Sequence, residues 1–154
     1  MTEKFLRELK VDEIKNYLIF LDIDGTLVEE KGSLVDEATA AKVETLKGGN
    51  KIYLCSNKKK SDRNIAVSEF LRLPLLDSPY KKPDKRILDF IPEQDRKDRP
   101  FLVVGDRFLI DGLFARNLGA KFIKVKKLIP GKRGLIAKVA YLIDDAFYRL
   151  FGKP

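Results

Sequence analysis

A chain of 154 residues, 44% hydrophobic and without any stretch near the roughly 20 apolar residues of a membrane helix, reads as one domain with a core of ordinary size and no membrane span. It contains no His, which removes imidazole as general base, metal ligand or phosphoenzyme nucleophile, and its one Cys excludes an internal disulfide and a cysteine metal site. The formal charge of +8 is uneven: residues 121–154 hold 9 Lys and Arg against 2 Asp and Glu, whereas residues 1–120 hold 22 against 21, so the basic character lies in the tail.

The N-terminus, MTEKFLRELK, is charged and lacks a continuous apolar core; with Cys55 as a free thiol, a cytoplasmic protein is expected. An apolar run, Tyr17 to Leu21, predicts the first strand. A helical pattern follows from Asp36 to Leu46, stopped by Gly48 and Gly49, and then a second strand, Lys51 to Cys55. Asp62 to Leu71 predicts another helix, ending near Pro74, and Pro83 suits the first turn of a shorter one through Phe90. Glu93 to Pro100 reads as a charged loop. Phe101 to Val104 and Lys121 to Val125 predict two more strands, separated by a helix from Leu109 to Leu118 that Gly119 ends. The last helix, Leu135 to Phe151, is apolar around most of its circumference, with Lys138, Asp145 and Arg149 as a narrow polar stripe, and its broad face is expected to pack on the sheet. This alternation predicts an α/β fold, a Rossmann-like parallel sheet with helices on both faces and ligands at the carboxyl ends of the strands.

The first strand delivers Asp22 and Asp24, one residue apart, and turns at Gly25-Thr26. Two such carboxylates close together are unfavourable unless a cation neutralises them, which implies a hard divalent ion with oxygen ligands, Mg2+. One acid can then attack phosphorus as a nucleophile while the other protonates the leaving oxygen and later activates water. The plain alternative is a turn that both acids cap. The second strand ends in Ser56-Asn57, a hydroxyl and backbone N–H groups at the same sheet edge, or an ordinary turn. Lys81-Lys82-Pro83 enters a predicted helix whose N-terminus would favour an anion. The third strand ends in Gly105-Asp106, with Asp111 in the next first turn; these acids are caps or metal ligands.

In order and spacing, DIDGT, the strand-terminal Ser56, Lys82 and GDRFLID resemble the four motifs of the haloacid dehalogenase-like (HAD) phosphatase superfamily, from about Tyr17 to Val125. The resemblance implies Asp22 as nucleophile and metal ligand, and Asp24 as acid and base that also gives the metal its backbone carbonyl. It further implies Ser56 with Asn57 for the phosphoryl group, Lys82 for charge neutralisation, and Asp106 and Asp111 toward Mg2+, Asp111 through water or by orienting Lys82. Family members control their substrates with cap domains, for which the short segments Thr26–Asp36 and Asn57–Lys82 leave no room; an open, uncapped site that takes large or surface-bound substrates is expected. The stretches Leu73–Pro83 and Val104–Gly119 are most similar to the phosphatidylglycerophosphate phosphatase-like branch, including the YqeG-type proteins. Gly25, where that branch typically has Asn, and the basic cluster Lys58 to Lys60 depart from it.

The reading is therefore a phosphomonoester hydrolase working through an aspartyl-phosphate, on phosphatidylglycerophosphate or another large phosphate ester. The six basic residues between Lys121 and Arg133, with Lys124, Lys126, Lys127 and Lys132 among them, together with the amphipathic last helix, predict peripheral contact with an anionic membrane at its inner face. The alternatives are a soluble sugar-phosphate or nucleotide phosphatase, and a catalytically inactive basic protein that binds nucleic acid. No aromatic-interleaved RNA motif supports the last.

Overall fold

The computed structural model describes residues 3–30, 32, 34–58, 60–129 and 135–152, without the side chains of 135–138. Four parallel strands, β1 (Leu18–Leu21), β2 (Lys51–Leu54), β3 (Phe101–Gly105) and β4 (Lys121–Lys124), form one sheet in the order β2-β1-β3-β4. Every residue of β1 is buried, since it lies between β2 and β3 with helices over both faces. Side chains alternate across the pleat, so each strand feeds two cores. Ile19, Leu21, Ile52, Leu54, Leu102 and Val104 meet Val43 and Leu46 of α1 (Glu37–Lys47) and Val67 and Leu71 of α2 (Asp62–Leu71). Leu18, Phe20, Tyr53 and Val103 meet Ile87, Ile91 and, from the helix after β3, Phe114. Ile19 lies opposite Ile52 on one side and Leu102 on the other. A slip of one residue would exchange the two cores, each buried Leu, Ile or Phe contributing about 1.5–3 kcal/mol.

The two helices expected from Asp36 and Asp62 form within a residue of those starts, each at a side-chain cap: Asp36 Oδ1 accepts from Thr39 N at 2.8 Å, and Ser61 Oγ from Asn64 N at 3.2 Å. Three expectations change. The charged loop contains a short helix, α3 (Glu93–Arg96), preceded by Pro92 and carrying Glu93 and Asp95 in its first turn, where acids suit the helix dipole. Lys51 and the Tyr53 hydroxyl hold Asp95 from the neighbouring strand. Pro83 stands outside the next helix, which is a 3-10 segment, Lys85–Phe90, capped by Asp84 on Arg86 N. That cap occupies the end where an anion was expected. The helix after β3 opens as a π-turn, Phe108–Gly112, before α4 (Leu113–Leu118).

The last helix, α5 (Leu135–Phe151), has the expected bounds but the opposite orientation. Asp144 is fully buried, and its two carboxylate oxygens accept from Phe108 N and Leu109 N, both at 2.8 Å. Asp145 pairs with Lys124, and Tyr148 packs against Phe108. Val139, Leu142, Ile143, Phe147, Leu150 and Phe151 point outward, Leu142 being 69% and Leu150 74% exposed. Unsatisfied N–H groups of the π-turn draw the acidic side inward and leave the broad apolar face outside. Among the described residues no helix is long and apolar enough to cross a membrane. Lys138, Lys132, Arg133 and Lys59, which figure in the expected polar stripe and basic clusters, lie outside the described side chains.

Candidate active site

β1 runs out to one side toward β2 and the chain then crosses to β3 on the other, so the carboxyl ends of β1 and β3 flank the place where the winding reverses. Asp22 follows β1 and Asp106 follows β3. Asp111 joins them because the π-turn doubles back: Asp111 N donates to Arg107 O at 2.7 Å, and Asp111 Oδ2 accepts from Arg107 N at 3.2 Å. Carboxylate oxygens of Asp22, Asp106 and Asp111 all lie within 4.8 Å of one another. Two glycines make this approach possible. Gly25 has φ +76°, and a Cβ there would stand 2.6 Å from Asp106 Oδ2; a Cβ on Gly105 would collide with the Asp111 carboxyl. At position 25 glycine is thus favoured by both backbone angle and space.

Lys82 Nζ sits 2.8 Å from Asp22 Oδ1 and 2.6 Å from Asp111 Oδ1, with its side chain buried. Burial alone would lower the lysine, but Asp111 and Asp22 beside it outweigh that and hold its pKa well above the ordinary value. The ammonium stays charged. Burial, and then the charge of Asp22, raise Asp111 to about 6 against the pull of Lys82. Asp106 is also raised well above the usual carboxylate range by burial and by Asp22 and Asp111. Its Oδ1 is buried without a hydrogen-bond partner. Three crowded carboxylates, one with an orphaned oxygen, fit a hard divalent cation with oxygen ligands.

The other expected residues surround this group. Asp24 stands apart from the three acids; its Oδ1 meets Arg63 Nη2 at 2.7 Å and Lys58 Nζ at 3.4 Å. Ser56 lines the cleft over Asp22, its Oγ accepting from Lys58 N at 3.2 Å. Asn57 also lines it, but its side chain is engaged: Oδ1 accepts from Lys82 N at 2.7 Å and Nδ2 donates to Lys82 O at 2.9 Å. Its observed work is to position the lysine. Cys55 is buried below, and burial pushes its thiol up to about 12, out of reach as a nucleophile.

Three site residues were not read as such in the sequence, Lys127 figuring there only as part of the basic cluster. Arg63, on the first turn of α2, holds Asp24. Tyr141 of α5 donates from its hydroxyl to Asp106 O at 3.2 Å and lies 3.4 Å from Asp106 Oδ2. Lys127 Nζ lies 4.0 Å from Asp106 Oδ2 and 3.4 Å from Glu30 Oε2, over the Tyr141 ring. The one available signal for Tyr141 was its place three residues before Asp144-Asp145 on a mostly apolar helix. The basic tail is correspondingly less free than its composition implies: Lys124 is enclosed by Glu3 and Asp145, and Lys127 by the site. This removes two cations from the surface that a nucleic acid would need.

Over residues 5–129 the chain matches the family described as mitochondrial PGP phosphatase. No curated protein matches the chain. A crystal structure of an uncharacterized protein from Listeria monocytogenes serotype 4b is similar, with a TM-score of 0.56, 20% identity, and coverage of 77% of this chain and 84% of that one. At that identity the likeness concerns the fold, whose parallel sheet and helices agree with a HAD-like core.

Proposed function

This chain belongs to the mitochondrial PGP phosphatase family, which makes it a HAD-like phosphatase acting on phosphate esters, and from that premise we propose a Mg2+-dependent hydrolysis that passes through an aspartyl-phosphate on Asp22. The observation that carries this reading is Lys82 bridging Asp22 and Asp111 while Asp106, with its orphaned oxygen, lines the same cleft. Asp22, Asp106 and Asp111 would hold the cation, with the backbone carbonyl of Asp24. When bound, it supplies positive charge that lowers repulsion between the Asp22 carboxylate and an anionic phosphate.

The chain's own residues supply the rest. Asp22 attacks phosphorus, and the bond to the leaving oxygen breaks. Asp24, which lines the same cleft, gives that oxygen a proton and afterwards takes one from the water that attacks the acyl-phosphate, releasing inorganic phosphate and free Asp22. Lys82 offsets the charge gathered on Asp22 and the phosphoryl oxygens, and Ser56 holds those oxygens. The cleft of about 120 Å³ over Asp22 has room for a phosphoryl group and little else, so the remainder of a large substrate must lie outside it. This suits phosphatidylglycerophosphate, while a soluble sugar phosphate or nucleotide remains the second reading.

The outward apolar face of α5 favours the lipid. That helix also carries Tyr141 against Asp106, so a helix lying in the headgroup layer of an anionic bilayer would bring the site to its substrate. A cytoplasmic protein peripheral to the inner membrane face follows from this reading. Phosphate release from phosphatidylglycerophosphate, glycerol 3-phosphate and a nucleoside monophosphate, with Mg2+ and with chelator, tests the substrate and metal. Borohydride reduction during turnover, followed by mass spectrometry, should convert Asp22 to homoserine. If wild type turns over no ester, or Asp22→Asn keeps full activity, the mechanism fails.

A further inference from the structure

The cleft over Asp22 does not end at the phosphoryl position. Through Ser56, Asn57 and Lys58 it shares a wall with a second cavity of about 210 Å³, bounded by Lys60 and Asn64 on one side and by Leu75 to Lys81 on the other. Three features distinguish this space from a passive surface dent. Lys58, Lys60 and Lys81 face it against a single carboxylate, Asp77, which lies 4.0 Å from Lys60. Leu75, Leu76, Pro79 and Tyr80 give it an apolar side. The third is Asn64: the residue is wholly buried, its Oδ1 accepts from Arg63 Nη2 at 3.1 Å, and its Nδ2 has no hydrogen-bond partner. A buried N–H donor left unmade is unfavourable, and a donor of this kind on a cavity wall calls for an acceptor from a ligand.

We propose that this cavity receives the leaving alcohol of the substrate and binds a second anionic group on it, a phosphodiester, through Asn64 Nδ2, Lys60 and Lys81. This rests on the phosphatase reading above and names what that site selects. Lys58 stands at the junction, lining both spaces and reaching Asp24. Arg63 Nη2 touches both Asp24 and Asn64, so the residue that fixes the acid also fixes the amide that binds the second group. The apolar wall accommodates the carbon atoms between the two phosphorus atoms. A substrate with only one phosphate fills the first cleft and leaves Asn64 unsatisfied.

The test compares glycerol 3-phosphate with glycerophosphoglycerophosphate, the same ester carrying a phosphodiester on its alcohol, using wild type, the double variant Lys60→Ala with Lys81→Ala, and the same positions changed to Arg. Wild type should favour the second substrate in kcat/KM by at least tenfold, on the order of one charge-assisted hydrogen bond. The Ala pair should reduce that ratio about tenfold, mostly through KM, and the Arg pair should retain it. Asn64→Leu, a second variant of similar size that removes the amide, should reduce it as well, with thermal melting to confirm folding. Micellar phosphatidylglycerophosphate separates the sources: an equal preference with and without acyl chains supports the cavity, and a preference confined to the acylated substrate overturns it. Calorimetric binding of glycerophosphoglycerol, which has no scissile phosphate, keeps the two readings apart. Tenfold weaker binding to the Ala pair supports the subsite even if no ester is turned over, whereas turnover of both substrates at equal kcat/KM with no such binding overturns the subsite and leaves the phosphatase standing.

Discussion

Asp111 is bound to the nucleophile's own countercharge: its Oδ1 lies 2.6 Å from Lys82 Nζ, whose other contact is Asp22 Oδ1 at 2.8 Å. One buried lysine therefore balances two of the three crowded carboxylates, and Asn57 holds both the backbone N–H and the backbone C=O of that lysine.

Lys82→Met keeps the length of the side chain and removes its charge. Asp22 and Asp111 are then left without a cation in a buried setting, and breaking a pair of this kind costs about 3–5 kcal/mol. The metal-free variant should melt well below wild type, and saturating Mg2+ should recover part of the difference. Turnover should fall by roughly three orders of magnitude and stay low with Mg2+, because the lysine also serves the transferring phosphoryl group. Melting curves and a phosphate-release assay at several Mg2+ concentrations check both. Recovery of full activity by metal alone would show that Lys82 is only structural.

The raised carboxyls make metal binding pH-dependent in a definite direction. Asp111 titrates at about 6 in the fold and near 3.8 unfolded, and Asp106 is raised in the same sense. The native state therefore holds protons that the unfolded chain has released, and the stability they bring, complete below about 3.8, is lost as pH rises through about 6. Deprotonated oxygens are what the cation needs, so the stabilisation by Mg2+ should be small at pH 5 and grow to pH 7.5. At a hundred times the dissociation constant it reaches about 2.7 kcal/mol, roughly 8 °C in melting temperature for a chain of this size. A shift of the same size at both pH values would exclude these carboxyls as ligands.

Tyr141 reaches Asp106 from a helix remote in sequence. Removing its hydroxyl in Tyr141→Phe leaves the ring over Lys127 and takes away a hydrogen bond that orients a ligand. Groups of this sort typically alter metal affinity by about 10–100-fold. The Mg2+ concentration for half-maximal activity should rise about tenfold, while kcat at saturating Mg2+ stays close to wild type. A fall in kcat with an unchanged Mg2+ requirement would place Tyr141 in the chemistry instead.

What the sequence revealed about the site follows from how locally each residue is specified. Asp22, Ser56 and Asp106 stand at the ends of apolar strands, and a parallel sheet brings such ends to one edge whatever the details of the helices. Lys82 was legible as the lysine before Pro83, although its helix starts later than expected. Asn57 was legible only as a neighbour of Ser56, and its bond to the Lys82 backbone depends on a loop 25 residues away. Arg63, Lys127 and Tyr141 sit where ordinary surface residues sit in the sequence pattern. The orientation of α5 was out of reach for the same reason: apolar periodicity gives the broad face of a helix, and here a buried Asp144, bound to two backbone N–H groups, decides which side turns inward.

That orientation leads to the last prediction. With Asp144 and Tyr141 holding the inner side, charge can be placed on the outer side without disturbing the site: Leu142 and Leu150 are 69% and 74% exposed, while Tyr141, Asp144 and Tyr148 carry the contacts to Asp106 and the π-turn. Leu142→Asp together with Leu150→Asp removes apolar surface of the kind an amphipathic helix buries in the headgroup layer and adds charge that anionic lipid repels. Co-sedimentation with phosphatidylglycerol vesicles should drop about tenfold or more. Turnover of phosphatidylglycerophosphate presented in those vesicles should fall with it, and turnover of its deacylated soluble form should hold. Raising the salt concentration should weaken wild-type binding only in part, since the apolar contribution is not screened. If the charged variant binds vesicles as wild type does, α5 is not the membrane contact.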